Sequence, residues 1–197
     1  MQQGKYDDAQ AALEEAIRLR PNYSAAKATL ANTFRRLKKC DKAVPLYEAV
    51  IQAQPTDPFA HGNLGVCYSR LGRNDDAIRV MERAVELAPN EAQWRMSLGT
   101  LYRQTKKLDK ALPQLEKAAQ LDPHNPDVLN SLGVALRQNK QPERAAEVIR
   151  QAIRLKPNDS DLWFDLAAVL RVQQKTAEAV TAYREALKHN ERDADAW

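Results

Sequence analysis

The chain has 197 residues, of which 28% are charged, 44% hydrophobic and only 6% aromatic, with six glycines. This is a helix-rich composition that excludes a β-sandwich and a disordered tail. A formal net charge of +4 with both signs interspersed does not point to nucleic acid or to an anionic membrane.

Pro21, Pro55, Pro89, Pro123 and Pro157 stand 34 residues apart. Repeats of this length are one supersecondary unit each, and are sought before any other feature. The interval divides the chain into a partial unit 1–23, full units 24–57, 58–91, 92–125, 126–159 and 160–193, and the start of another at 194–197.

The first piece predicts the end of one helix and a complete second helix carrying Ala9, Leu13 and Ala16. Unit 24–57 places Leu30, Ala31 and Phe34 on a first helix and Ala43, Tyr47 and Val50 on a second. Unit 58–91 repeats the pattern with Leu64, Gly65 and Tyr68, then Ala77, Met81 and Ala84. In unit 92–125 the columns read Leu98, Gly99 and Tyr102, then Ala111, Leu115 and Ala118. Its apolar residues recur in steps of three and four on either side of the polar break Gln104-Thr105-Lys106-Lys107, the mark of two amphipathic helices. Unit 126–159 continues with Leu132, Gly133 and Leu136, then Ala145, Ile149 and Ala152. Unit 160–193 has Leu166, Ala167 and Leu170, then Ala179, Tyr183 and Ala186.

The small-residue columns let the two helices of a unit approach closely. One pair cannot bury its apolar face alone, so the fold exists only as a stack. Asn22, Asp57, Asn90, Asn125 and Asp159 follow the proline column and are expected to cap the next first helix. Pro58 and Pro126 suit the first helical position, and Pro142 opens a second helix. Pro45 and Pro113 fall about one turn into a second helix, where a loose or bent turn is expected. Both ends of the chain fall inside a unit without a polar capping helix, so a fragment of a longer array is expected.

The pattern resembles the tetratricopeptide-repeat family over nearly the whole chain. That family's unit carries Trp-x-x-Leu-Gly-x-x-Tyr, then Ala, an aromatic residue, Ala and Pro. Here it reads Leu64-Gly65, Tyr68, Ala77, Met81, Ala84 and Pro89, and again Leu98-Gly99, Tyr102, Ala111, Leu115, Ala118 and Pro123. The column that should hold Trp reads Lys27, His61, Arg95, Leu129, Trp163 and Trp197, and Glu191 replaces the last proline. The resemblance implies an all-α, right-handed solenoid of stacked antiparallel helix pairs that binds proteins or peptides on a concave side lined by the first helices.

By the family's pattern the second, fifth, sixth, ninth and twelfth places of each unit face that side. The twelfth place gives Arg35, Ser69, Arg103, Arg137 and Arg171. Asn32 stands at a ninth place, Asn63 at a sixth, and Phe59, Met96 and Phe164 are the bulky apolar residues. The Arg column has two readings. It can be a basic stripe for an acidic or carboxylate-bearing peptide, since the planar fork of Arg binds carboxylate bidentately. It can equally be a solvated charge favoured by the helix C-terminal dipole. Chaperone-tail clamps of the family match only at Asn32 and Asn63, because Ala28 replaces a Lys, and Gln93 and Ser97 replace a Lys and an Arg.

No catalytic, metal or cofactor site is expected. His61, His124 and His189 lie in three different units without partners at ligand spacing and are read as surface or lining residues. There is no phosphate-binding loop, nucleophile elbow or HExxH motif. Cys40 and Cys67 have neither CxxC nor zinc-ligand spacing, which leaves a reducing, by default cytoplasmic, compartment. No apolar run approaches the roughly 18 residues of a membrane span. The function expected is a protein-interaction scaffold. Two alternatives stand beside it: a substrate-recruiting segment of a larger enzyme such as a glycosyltransferase, and a self-assembling array that stacks end to end.

Overall fold

The computed structural model of the chain describes the backbone of residues 2–194 and the side chains of residues 10–190. Trp197 and the side chain of Ala9 lie outside the described residues. The fold is an all-α solenoid of antiparallel helix pairs, in two compact units, residues 1–90 (unit 1) and 91–197 (unit 2). Unit 1 contains α1 (Gln2–Leu19), α2 (Ser24–Arg36), α3 (Cys40–Ala53), α4 (Pro58–Arg70) and α5 (Asn74–Leu87). Unit 2 contains α6 (Ala92–Gln104), α7 (Leu108–Leu121), α8 (Pro126–Gln138), α9 (Pro142–Leu155), α10 (Ser160–Val172) and α11 (Thr176–Ala194). In unit 1, α2 pairs with α3 and α4 with α5, and α3 in turn packs on α4. In unit 2 the pairs are α6/α7, α8/α9 and α10/α11, with α7 on α8 and α9 on α10. The even-numbered helices of a unit are neighbours: α2 touches α4, α6 touches α8, and α8 touches α10.

The periodic columns are the core. Ala43, Ala77, Ala111 and Ala145 have no accessible surface, and Tyr47, Met81, Leu115 and Ile149 have at most 2%. The outermost members of the latter column, Leu13 and Tyr183, are only half-buried. Gly65, Gly99 and Gly133, flanked by Ala31 and Ala167, stand where the first helix meets the second. A Cβ added to Gly133 would lie 2.4 Å from Ile149 Cγ1, and one added to Gly65 would lie 2.4 Å from Met81 Cγ. Ala stands in this column where the second helix carries Tyr, at Ala31 with Tyr47 and at Ala167 with Tyr183.

Each turn from first to second helix closes in the same way. Lys38, Gly72, Lys106, Lys140 and Gln174 adopt φ between 58° and 75°. The next residue then donates back across the turn, as Lys39 N–H does to Phe34 O at 2.9 Å and Lys107 N–H to Tyr102 O at 2.8 Å. These are Schellman closures, which satisfy the last carbonyls of the first helix.

Three of the five expected caps, Asp57, Asn125 and Asp159, fall where the sequence places them, and the other two fall one residue later. The N-cap column is Tyr23, Asp57, Glu91, Asn125 and Asp159. Asp57, Asn125 and Asp159 accept from backbone N–H groups of the first turn. Asn22 and Asn90 precede the true cap positions, whose occupants Tyr23 and Glu91 make no side-chain cap bond.

Pro45 and Pro113 are accommodated without a break. Their helices run 14 residues, as do α5 and α9, which lack an internal proline. Both carry an additional i→i−3 bond in the first turn, Lys42 N–H to Lys39 O and Lys110 N–H to Lys107 O, each 3.1 Å. Where Glu191 replaces the proline, α11 continues as helix to Ala194. Pro has no N–H and bars the α region for the residue before it, so its replacement removes the stop.

Candidate functional site

The first helices α2, α4, α6, α8 and α10 carry every residue singled out above. Their twelfth places fall in the last turn, just before the Schellman closure. The positions that packing does not claim are free to vary, and the two units use them differently.

In unit 1 the polar side chains are tied to one another. Asn32 Oδ1 accepts from Tyr47 Oη at 2.7 Å and from Asn63 Nδ2 at 3.1 Å. This bridge joins α2, α3 and α4. Burial pushes the Tyr47 hydroxyl up to about 12, with the Arg35 guanidinium pulling the other way. Arg35 is half-buried, and its backbone oxygen accepts from Arg70 Nη1 at 3.0 Å. A cavity of about 330 Å³ is lined by Thr29, Asn32, Thr33, Arg35 and Arg36. Phe59 is 59% exposed on α4. Ser69 interrupts the Arg column.

In unit 2 the polar side chains form a charged cluster. Arg103 on α6 and Arg137 on α8 are half-buried, while Arg171 on α10 is exposed. The Nε atoms of Arg103 and Arg137, like that of Arg35 in unit 1, are shielded from solvent and have no hydrogen-bond partner among the described residues. Asp165 on α10 accepts from Asn130 Nδ2 on α8 at 2.9 Å. Burial draws the Arg103 guanidinium below its ordinary pKa; Asp165 opposes that effect and Arg137 adds to it. Arg103 therefore lies in a partly desolvated place within electrostatic reach of both Arg137 and Asp165, a setting that marks a candidate site.

The expected residues divide accordingly. The structure brings Asn32, Asn63 and Arg35 together in unit 1, and Arg103 and Arg137 in unit 2. Met96 packs against the hydrophobic core that includes Leu115 and Leu132. Phe164 stacks edge to face on Tyr183, with ring centres 5.5 Å apart, and lines a cavity of about 450 Å³ with Ser160, Asp161, Ala186, Leu187 and Asn190. Asp165, Asn130 and Tyr47 were not among the expected site residues. The one signal was Asp165 itself, a charge in a sixth-place column that otherwise reads Thr29, Asn63, Ser97 and Ser131.

His124 is exposed as expected, and the other two histidines differ. His61 and His189 are buried, with 8% and 7% accessible surface. His61 Nε2 lies 3.0 Å from Pro55 O, the hydrogen bond that Trp163 Nε1 donates to Pro157 O at 2.7 Å one hundred and two residues later. His61 thus does the anchoring work of the family's Trp with a smaller ring. Cys40 and Cys67 are both buried, and burial together with the neighbouring Cys40 pushes the Cys67 thiol up to about 12. Among the described residues no group of three His, Cys, Asp or Glu could hold a metal, and no helix is long and apolar enough to cross a membrane.

Comparison with known proteins places this geometry. The family model for the cilia and flagella-associated protein 70 C-terminal domain matches residues 22–197, and a tetratricopeptide-repeat model matches residues 1–23. No curated protein matches the chain. Among solved structures, MamA AMB-1 is 27% identical, with 84% of this chain and 98% of that one covered at a TM-score of 0.76. MamA from Desulfovibrio magneticus RS-1 is 18% identical, covering 86% and 96% at a TM-score of 0.78. YrrB, described as a tetratricopeptide-repeat protein with an unusual peptide-binding site, is 16% identical, covering 90% and 92% at a TM-score of 0.74.

Proposed function

We propose, from the premise that this chain belongs to the tetratricopeptide-repeat family of the cilia and flagella-associated protein 70 C-terminal domain, that its first helices receive a segment of another protein and that unit 2 prefers an acidic one. The chain is a tetratricopeptide-repeat scaffold, and fold alone does not name its partner. One observation carries the finer reading. Arg103 and Arg137 stand at the same place on neighbouring helices, half-buried, with Nε donors that have no acceptor among the described residues. Both side chains remain partly exposed, so a carboxylate brought by a ligand can pair with the two guanidiniums in a place where water screens little. The peptide-binding site in the description of YrrB supports the same kind of use for such a scaffold. The reading gives the chain no chemistry of its own.

The test is capture from a lysate on immobilised protein, comparing the natural chain with Arg103→Glu/Arg137→Glu at roughly 50 and 500 mM salt. Circular dichroism confirms that both are folded. Partners with acidic segments should be held by the natural chain at low salt, lost at high salt and lost by the variant. Partners held equally by both proteins at both salts would move the site away from the Arg column.

A further inference from the structure

We propose that the three helix reversals of unit 2 form a basic edge that docks an uninterrupted run of Asp or Glu residues in an extended segment of a partner protein. This deepens the scaffold reading and rests on it for the identity of the protein that carries the run.

The edge follows from the topology. Helices α6, α8 and α10 are parallel neighbours, so the reversals that follow them, residues 103–110, 137–144 and 171–178, fall side by side at one end of the unit. These three stretches hold nine Lys or Arg against three Asp or Glu, whereas the other residues of unit 2 through Asn190 hold seven against nine. Positive charge is thus gathered on this edge, and the remainder of the unit is slightly acidic. Lys106, Lys107, Lys140, Arg171 and Lys175 are exposed, and none makes an ion pair among the described residues. Lys110 lies over the Tyr102 ring at 5.7 Å, and Arg144 is held by Glu116 at 2.9 Å.

The fold does not require this charge. A cation in the last turn of a helix gains from the dipole, which accounts for Arg103, Arg137 and Arg171. Lys107 is the N-cap of α7 and Lys110 stands in its first turn, where the dipole opposes a cation. The reversal 69–76 of unit 1 closes through the same left-handed φ, at Gly72, yet its Arg70 and Arg73 are balanced by Asp75 and Asp76. Packed helices lie about 8–10 Å apart, so the three reversals of unit 2 span roughly 20 Å. An extended chain advances about 3.3 Å per residue, so roughly six or seven residues cross the edge. An unbroken acidic run presents a carboxylate at each reversal whatever its register. None of the three stretches contains an aromatic residue on which a base could stack, which favours a polypeptide over a single-stranded nucleic acid.

The full chain is titrated by fluorescence anisotropy, at roughly 50 mM salt, against labelled oligoglutamates of four, eight and twelve residues and an oligothymidylate of matched charge. The eight-residue peptide should bind far more tightly than the four-residue one, and the twelve-residue peptide should add little more. Lys106→Gln/Lys107→Gln/Lys140→Gln should weaken the eight-residue peptide roughly tenfold. It should do so with no loss of thermal stability, because Gln174 and Gln141 already occupy those places in other repeats. Should that variant fold poorly, Lys106→Asn/Lys140→Asn, with a residue tolerant of the left-handed φ, gives the same readout. Lys117→Gln/Arg154→Gln/Arg184→Gln removes as much charge from exposed positions outside the edge and should leave binding within about twofold. Equal losses in the two triple variants, affinity that climbs evenly through twelve residues, or tighter binding of oligothymidylate would overturn the proposal. Loss of the peptide in the lysine variant but not in Arg103→Glu/Arg137→Glu would sink the Arg-column reading and leave the edge standing. Loss in the arginine variant alone would do the reverse.

Discussion

Unit 1 and unit 2 are built on the same columns, yet their first helices differ in how many polar side chains they bond to one another. In unit 1, Asn32 accepts from both Tyr47 and Asn63, so the amides are part of the packing. In unit 2, Arg103 and Arg137 both hold an Nε donor without an acceptor among the described residues, where unit 1 has one such Arg, Arg35. The lesson is that one scaffold separates two tasks by column. Columns between helices are selected for volume, and those on the open face of the first helices are left for either internal bonding or recognition. Internal bonding stabilises the protein, whereas unspent donors cost stability and keep a site available.

The largest expected effect tests the packing side of the comparison. Gly133→Ala in unit 2 would drive a Cβ to 2.4 Å from Ile149 Cγ1 and 2.9 Å from its Cδ1. Ile is stiff at χ1, so the helices must part, and overpacking of this kind costs about 1–3 kcal/mol. Gly65→Ala in unit 1 meets Met81 Cγ at 2.4 Å. Met is unbranched and yields, so its loss should be clearly smaller. Chemical denaturation of the two variants measures both. Equal losses would mean that backbone, not the facing side chain, sets the tolerance.

The next effect tests the groove. Asn32→Ala removes the shared acceptor of Tyr47 and Asn63 and should cost about 1–2 kcal/mol. Arg103→Met in unit 2 removes a partly desolvated charge beside Arg137 and should be neutral or slightly stabilising. Denaturation midpoints of the pair decide the matter. A loss at Arg103 as large as that at Asn32 would show that its guanidinium is structural, and the contrast between the units would fall.

The smallest effect concerns caps and pH. Burial by itself would raise the Asp159 carboxyl, but the Lys156 ammonium at 2.7 Å and the N–H groups of Leu162 and Asp161 outweigh it and hold it below its usual 3.8. A carboxyl depressed in the folded state adds stability above its unfolded pKa, and that stability is lost as pH falls through the folded value. Asp159→Ala should therefore cost about 1 kcal/mol at neutral pH, shrinking toward zero in acid as the natural chain loses its own carboxylate. The matching change in unit 1, Tyr23→Ala, removes no side-chain cap and should show no such dependence. Thermal unfolding between neutral and acidic pH compares them, and a pH-independent difference at Asp159 would assign its role to packing.

The core was legible because close packing admits few volumes, and Ala111 or Leu115 cannot drift without parting two helices. The caps were half legible: Asp57, Asn125 and Asp159 look like caps, whereas Tyr23 and Glu91 hide the same position and made Asn22 and Asn90 attractive substitutes. The Schellman turns were hidden because Lys, not Gly, occupies three of the five left-handed positions. His61 was hidden because a ring N–H, not ring size, is what Pro55 O requires. The partnership of Asn130 with Asp165 spans 35 residues on a face that packing leaves free, so no period announces it.

Those left-handed turns have a practical consequence. Lys38, Lys106 and Lys140 are exposed at the tip of the reversal inside their repeats, Lys39 and Lys107 stand beside two of them, and Arg73 follows Gly72 in its own turn. Exposed tips of this kind are where proteases nick a folded chain. The protein thus carries trypsin sites at nearly every reversal, spaced by one repeat. The order in which they are cut reads out, repeat by repeat, where the array opens first, with no label attached to it.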